Sequence, residues 1–287
     1  MRLALTSTPA APNQRRAFTE KMAMDQLKGK VAAVTGPAGS TGRGIALRFA
    51  REGAKIALID RDAAKCDALV KEIQTAGGTA TFIRADVAAQ GDAQRAIDAA
   101  ASEYGRLDVL VNSNWVLRSF MPLLEKPEED FKASMNAVFF GTLRAMRAAV
   151  PHMRKVGGGR IINVAAPYGY TSFHNIADAV STDWSLQGLT RAAAVEWGKY
   201  QILTNLLVPA LLDIPEFQQY RADNPVYVDG LIKQMPLRRL GDPVEDLGGA
   251  ALLLASDEGC FITGQPIFSD GGQHLNTAAF KPRARQA

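Results

Sequence analysis

The sequence predicts an α/β domain with a doubly wound, seven-stranded, mostly parallel sheet and helices on both faces. Two observations carry this expectation. Short apolar runs alternate with helical stretches of about ten residues or more, which demands crossover connections between parallel strands. The alternation runs from Lys30 to Gly272 without a linker, a composition shift or an internal repeat, so it describes one domain. Of 287 residues, 47% are hydrophobic and 22% charged, a balance with which a chain of this length buries a large core. The expected boundaries are an N-terminal extension over 1–28, the domain over 29–273 and a basic tail over 274–287.

The elements follow in order. Val31–Thr35 is short, apolar and ended by Gly36, the pattern of a buried strand. Arg43–Glu52 places Ile45, Ala46, Phe49 and Ala50 on one helical face. Lys55–Asp60 is the second strand, followed by a helix over Asp62–Ala76. Thr79–Asp86, Leu107–Asn112, Arg160–Val164, Leu203–Val208 and Pro266–Ser269 supply further strands. Helices are expected over Ala89–Tyr104, Glu128–Val156, Asp178–Tyr200 and Val244–Ser256. Asp213–Pro236 carries Pro215, Pro225 and Pro236, interrupts the alternation and reads as a lid-like insert.

Composition narrows the function classes. The net charge is +4, but Arg15, Arg16, Lys281, Arg283 and Arg285 lie in the tails, so the basicity is tail charge and not a nucleic-acid face. Cys66 and Cys260 lack CxxC spacing and the three histidines are scattered, so no metal site is expected. No apolar stretch approaches the roughly 18 residues of a membrane span. Residues 1–28 lack a signal peptide's apolar core and cleavage site, and Met24 reads as a natural start. A cytoplasmic location is expected.

Glycines 36, 39, 42 and 44 join the first strand to the first helix. Glycine lets a backbone turn tightly and approach a pyrophosphate, which then rests on the helix N-terminal amides. Asp60 ends the next strand, where a carboxylate accepts hydrogen bonds from a ribose diol and repels a 2′-phosphate, favouring NAD over NADP. Strand, loop, helix, strand and acid in register are more specific than a glycine-rich loop alone.

Over residues 28–273 the chain resembles the short-chain dehydrogenase/reductase family, which implies a Rossmann-type domain. Thr35-Gly36-x-x-x-Ser40-x-Gly42 matches that family's TGxxxGxG, with Ser40 for the middle glycine. Asp86-Val87 matches its adenine-side pair, and Leu107-Asp-Val-Leu-Val-Asn112 its fourth strand, although Ser113-Asn114-Trp115 then replaces the usual continuation. Ile262-Thr263-Gly264-Gln265 and Asp270-Gly271-Gly272 match its last sheet edge. The resemblance implies a dinucleotide held by Gly36, Ser40, Thr41, Gly42, Asp60, Asp86, Val87 and Asn112.

It also implies where the chemistry should be. In the family a serine polarises the substrate oxygen, and a Tyr-x-x-x-Lys pair on a helix supplies the proton, the ammonium lowering the tyrosine pKa. Anchored on Arg160-Ile-Ile-Asn-Val164 and Gly188-Leu-Thr-Arg191, those positions hold Ala166, Ala179 and Asp183. Asn136 falls on the helix asparagine of the tetrad. Ile214 stands where a threonine often meets the nicotinamide, Ala210 replaces a glycine, and Trp115 puts an indole where the family has glycine.

These departures lead to the expectation of a catalytically inactive or scaffold subunit of an oxidoreductase oligomer. It would keep an NAD-type site and assemble as a homo- or hetero-oligomer (dimer or tetramer), an active paralogue being one candidate partner. Two alternatives stay open. One is a lyase, isomerase or dehydratase in the old cleft. The other is a divergent NAD-dependent oxidoreductase. Both would use Tyr168, His174 or Asp183.

Overall fold

The computed structural model describes residues 25–116, 119–166, 170 and 174–275. Period-two alternation along the strands decides the layering. In β1 (Val31–Thr35), Ala32 and Val34 face one apolar cluster while Val31 and Ala33 face another. In β2 (Lys55–Asp60), Ile56 and Leu58 join the first cluster, Ala57 and Ile59 the second. A sheet apolar on both sides needs helices on both faces, which is what parallel crossovers supply.

The remaining strands are β3 (Thr79–Arg84), β4 (Val109–Asn112), β5 (Gly159–Val164), β6 (Ile202–Pro209) and β7 (Pro266–Ser269). They form one seven-stranded sheet in the order β3-β2-β1-β4-β5-β6-β7. Every neighbouring pair is parallel, so the expected "mostly parallel" sheet is fully so. Chain order reverses between β1 and β4, and in such sheets a crevice opens there beyond the strand C-termini.

Helices α1 (Ser40–Arg51), α2 (Ala63–Thr75) and α3 (Asp92–Tyr104) connect the first four strands. α1 begins three residues before the expected Arg43, because Gly39 caps it directly after the loop. The expected helix over Glu128–Val156 is instead three pieces: α4 (Glu128–Ser134), a π-helical turn (Met135–Phe140) and α5 (Gly141–Lys155). The wider turn accommodates an extra residue. It lets Val138 pack with Ala165, Leu186 and Leu206 while Gly141 lies so close to Val87 that a Cβ would stand 3.1 Å from its Cγ2. α6 (Ala177–Trp197) follows β5.

The proline-bearing insert is two helices, α7 (Pro215–Asp223) and α8 (Pro225–Gln234), each with proline in its first turn, where the missing N–H costs nothing. Pro243–Leu247 is a second π-helical turn leading into α9 (Gly248–Ala255). Among the described residues no helix is long and apolar enough to cross a membrane.

Gly44 shows how tightly α1 is seated. A Cβ there would lie 2.3 Å from the carbonyl oxygen of Pro243 and 2.6 Å from its Cβ. Arg51 and Arg48 then grip Glu245 across the same contact, Arg51 at 2.6 Å. Gly44→Ala is expected to cost about 1–3 kcal/mol as an overpacked contact. Thermal unfolding of the variant checks this; an unchanged melting temperature would show that the two segments separate freely.

Candidate active site

At the C-terminal ends of the strands a cavity of about 520 Å3 spans the crevice. It reaches from the end of β3 to the end of β6, about 24 Å at roughly 4.8 Å per strand step. Its centre is the glycine loop. Gly36 adopts φ +70°, and a Cβ on it would stand 2.4 Å from the backbone oxygen of Ser113. Gly42 does not line the cavity; it packs on Gly36, where a Cβ would come within 2.7 Å of the carbonyl oxygen. Gly39, the N-cap of α1, makes no side-chain cap, and the first turn holds no acid. Ser40 and Thr41 of this first turn line the cavity, and the free amides of a helix start suit an anion.

Asp60 is fixed by three backbone amides: those of Arg61 (2.7 Å) and Asp62 (3.1 Å) on Oδ1, and that of Ala38 (3.1 Å) on Oδ2. It thus pins the glycine loop to the end of β2, and a carboxylate retains acceptor capacity beyond three bonds. Asp86 caps its own turn through Ala88 N and lies 3.4 Å from the exposed Arg61 guanidinium. Asp86 and Val87 line the cavity beside Asp60. An anion-binding helix start and a fixed carboxylate one strand away fit a dinucleotide's pyrophosphate and ribose.

Two expected site residues face elsewhere. Asn112 does not line the cavity. It is buried, and its Nδ2 donates to Asn163 Oδ1 at 2.9 Å, while Asn163 donates to Thr190 Oγ1. Strand alternation turns it into the sheet, and Ser113 and Asn114 line the cavity instead. Asn136 likewise faces away from Ala166 and Asp183. Its amide donates to Ala88 O and its oxygen accepts from Arg144, and the residue of this π-helical turn packed toward Ala165 is Val138.

Ala166 and Asp183 do come together. Asp183, buried on α6, accepts the Ala166 N–H at 3.1 Å, and Ala166 lines the cavity. Ala179 is one turn earlier on the same helix, also buried. Tyr168 lies outside the described residues, and His174 is exposed on a turn before α6. Tyr170 is no acid at neutral pH: burial, then the charge of Asp183, push its hydroxyl up to about 12. The thiol of Cys66 is pushed up to about 12 by burial, then by Asp60, and is inert. Among the described residues no three His, Cys, Asp or Glu side chains gather to hold a metal ion.

Sequence reasoning missed Lys126. Its ammonium, wholly buried, pairs with Asp178 Oδ1 at 2.9 Å and donates to Ser119 O (2.6 Å) and Asn175 O (3.3 Å). Ser134 donates to Asp178 Oδ2 at 2.8 Å. Asp178 therefore sits at its helix start because of a buried cation and not only because of the helix dipole. The signal was present: a lysine directly before Pro127-Glu128 occupies a helix N-terminus, where positive charge is disfavoured. The pair ties α6 and α4 to the segment before Pro127.

The family model described as "Enoyl-(Acyl carrier protein) reductase" matches residues 36–274. A 2,5-dichloro-2,5-cyclohexadiene-1,4-diol dehydrogenase of Sphingobium indicum is 33% identical over 251 residues, 86% of this chain and 97% of that one. The chain belongs to the short-chain dehydrogenase/reductase family. A D-threitol dehydrogenase of Mycolicibacterium smegmatis is 32% identical, covering 86% of this chain and 94% of that one. A solved gluconate 5-dehydrogenase of Burkholderia cenocepacia, in complex with NADP and tartrate, superposes with TM-score 0.80 at 30% identity over 88% and 98% of the two chains. These findings overturn the expectation of an inactive or scaffold subunit, because relatives matched over nearly their full length are named as dehydrogenases. They point to a catalytic oxidoreductase, and equally away from a lyase, isomerase or dehydratase.

Removing one partner of the buried pair should be costly. Lys126→Met is expected to lose about 3–5 kcal/mol, since it strands a buried carboxylate. Asp178→Asn added to it should recover part of that loss. Urea unfolding midpoints of both variants provide the check, and a single variant as stable as the parent would refute the bridge's role.

Proposed function

We propose that this protein is an NAD-dependent oxidoreductase interconverting a secondary alcohol and its ketone, with Asp183 taking the hydroxyl proton. The observation that carries this reading is the hydrogen bond to buried Asp183 from Ala166, which lines a cavity whose other end offers a pyrophosphate and ribose site. When bound, the nicotinamide supplies the hydride acceptor or donor.

The chain's own residues do the rest. The amides of Ser40 and Thr41 hold the pyrophosphate and Asp60 the ribose diol. The Ala166 N–H fixes one carboxylate oxygen of Asp183 and orients the group. Ala166 and Ala179 carry only methyls beside Asp183, whose carboxylate is buried directly behind the cavity wall at Ala166. In the oxidising direction an ionised Asp183 accepts the proton released from the substrate hydroxyl; in the reducing direction it returns it. The relatives' names place diols, polyols and sugar acids among the substrates to screen.

Asp60 supports NAD over NADP, because a carboxylate ending the second strand accepts hydrogen bonds from a ribose diol and repels a 2′-phosphate. Arg61 lies beside it, but its guanidinium is largely exposed, where a charge partner contributes little.

Two measurements test this. Asp183→Asn should lower turnover by about 10²–10⁴-fold, the usual contribution of a positioned acid–base, while leaving NADH affinity unchanged; turnover within threefold of the parent would overturn the assignment. NADH should bind more tightly than NADPH by fluorescence titration, and Asp60→Ala should narrow the difference; the opposite order of affinities would overturn the cofactor assignment.

A further inference from the structure

The segment leading from β4 into α4 turns an apolar ridge to the surface. Phe120, Leu123 and Leu124 are 73%, 69% and 97% exposed. The backbone beneath them is pinned: the buried Lys126 ammonium donates to Ser119 O, and the Met121 N–H donates to Asn175 O at 3.0 Å. An apolar patch held in place like this marks a surface on which something docks. The ridge is also acidic. Over Ser119–Lys132, Glu125, Glu128, Glu129 and Asp130 stand against one exposed cation, Lys132, while Lys126 is neutralised by Asp178.

The chain itself carries a segment of matching chemistry. From Asn276 to Ala287 it holds an aromatic, Phe280, and three cations, Lys281, Arg283 and Arg285, with no acidic side chain. This tail starts on the same rim as the ridge. It follows the turn after β7, where Gln273 Oε1 accepts the N–H of Leu211, a residue of the cavity wall, and where Leu275 is already 64% exposed. The ridge follows β4, at the same end of the sheet and three strand positions away, about 14 Å at roughly 4.8 Å per strand. The stretch from Leu275 to Phe280 spans up to about 17 Å when extended. The N-terminal extension is basic too, through Arg15 and Arg16, but it joins the domain before Lys30, at the opposite end of β1.

We infer that residues 276–287 dock on the ridge of their own chain, Phe280 packing among Phe120, Leu123 and Leu124 while Arg283 and Arg285 lie against Glu125, Glu128 and Glu129. The packing removes from water the apolar area that the pinned loop holds there. Exposed ion pairs contribute little singly, so the aromatic contact supplies the affinity and the charges choose the place. Weak intrinsic affinity is enough, because a short tether keeps the tail at an effective concentration on the order of millimolar. Running from β7 to β4, the docked tail passes the ends of β6 and β5, beside the cavity wall at Leu212 and Ala166. Nothing in this docking depends on the chemistry assigned to Asp183.

Cross-linking of the full chain tests it. Pro122→Cys and Ala279→Cys are combined with Cys260→Ser, which removes the exposed thiol; Cys66 is buried. Bismaleimidoethane should join the two introduced thiols within one chain, giving a product of monomer mass on a denaturing gel and a bridged peptide by mass spectrometry. Adding Leu123→Ser with Leu124→Ser should cut that yield at least fivefold. Arg283→Glu with Arg285→Glu should cut it at least twofold, and Glu125→Lys with Glu128→Lys should restore it. All these substitutions lie on exposed positions or in the tail, and melting temperatures confirm folding. A second measurement needs no cross-linker. With only Pro122→Cys and Cys260→Ser in place, deleting residues 276–287 should speed reaction with N-ethylmaleimide at least threefold, whereas deleting 1–24 should change it by less than half. Four results would each overturn the inference: cross-links between chains, a yield indifferent to the ridge substitutions, a charge swap without effect, or protection lost with residues 1–24 and not with the tail.

Discussion

The site depends on one backbone approach. Where the chain leaves β1 it passes so near the chain leaving β4 that Gly36 has no room for a Cβ against Ser113 O. That contact sets the floor of the crevice at the point where strand order reverses. Asp60 then holds the loop from the other side through Ala38 N, so the first turn of α1 is aimed by two neighbouring strands rather than by its own sequence. A side chain at position 36 would push the loop off β4 and move pyrophosphate amides and cavity wall together.

The two halves of the cavity are held by different physics. The β2–β3 half is ordered by hydrogen bonds from backbone amides to Asp60 and Asp86, which are directional and local. The β4–β6 half is ordered by packing and by one buried ion pair, Lys126–Asp178, which anchors α6 behind the wall. Charge inside an apolar layer tolerates no half measures, because either partner alone is strongly destabilising. Asp183 profits from that rigidity, being little more than one helical turn further along α6.

Much of this was legible in the sequence, and for physical reasons. β1, β2 and β7 were read to the residue because strand runs ended by glycine or aspartate have sharp edges. The glycine loop with Asp60 declared itself because backbone approach and ribose binding both constrain residue type. The π-helical turns were not legible: apolar spacing in Met135–Phe140 still satisfies an α-helical pattern, and only packing of Val138 and Gly141 against separate neighbours reveals the wider turn. For Asn112, motif matching gave the residue's place in the chain but not the direction of its side chain, which points into the sheet. Lys126 was passed over since a lone lysine reads as solvated surface. The inference from missing tetrad side chains to missing activity failed at a different level, because it equated one arrangement of groups with the reaction itself.

The strand order has a consequence for a chain emerging from the ribosome. β1, β2 and β3 are consecutive in sequence and pair with short crossovers, so that half can condense early. The far edge of β1 is satisfied only by β4, whose register joins Ala32 to Val109. Until β4 is synthesised, a mostly apolar strand presents open amides to any passing neighbour. The nascent protein is most exposed to mispairing while the residues between β3 and β4 are being made.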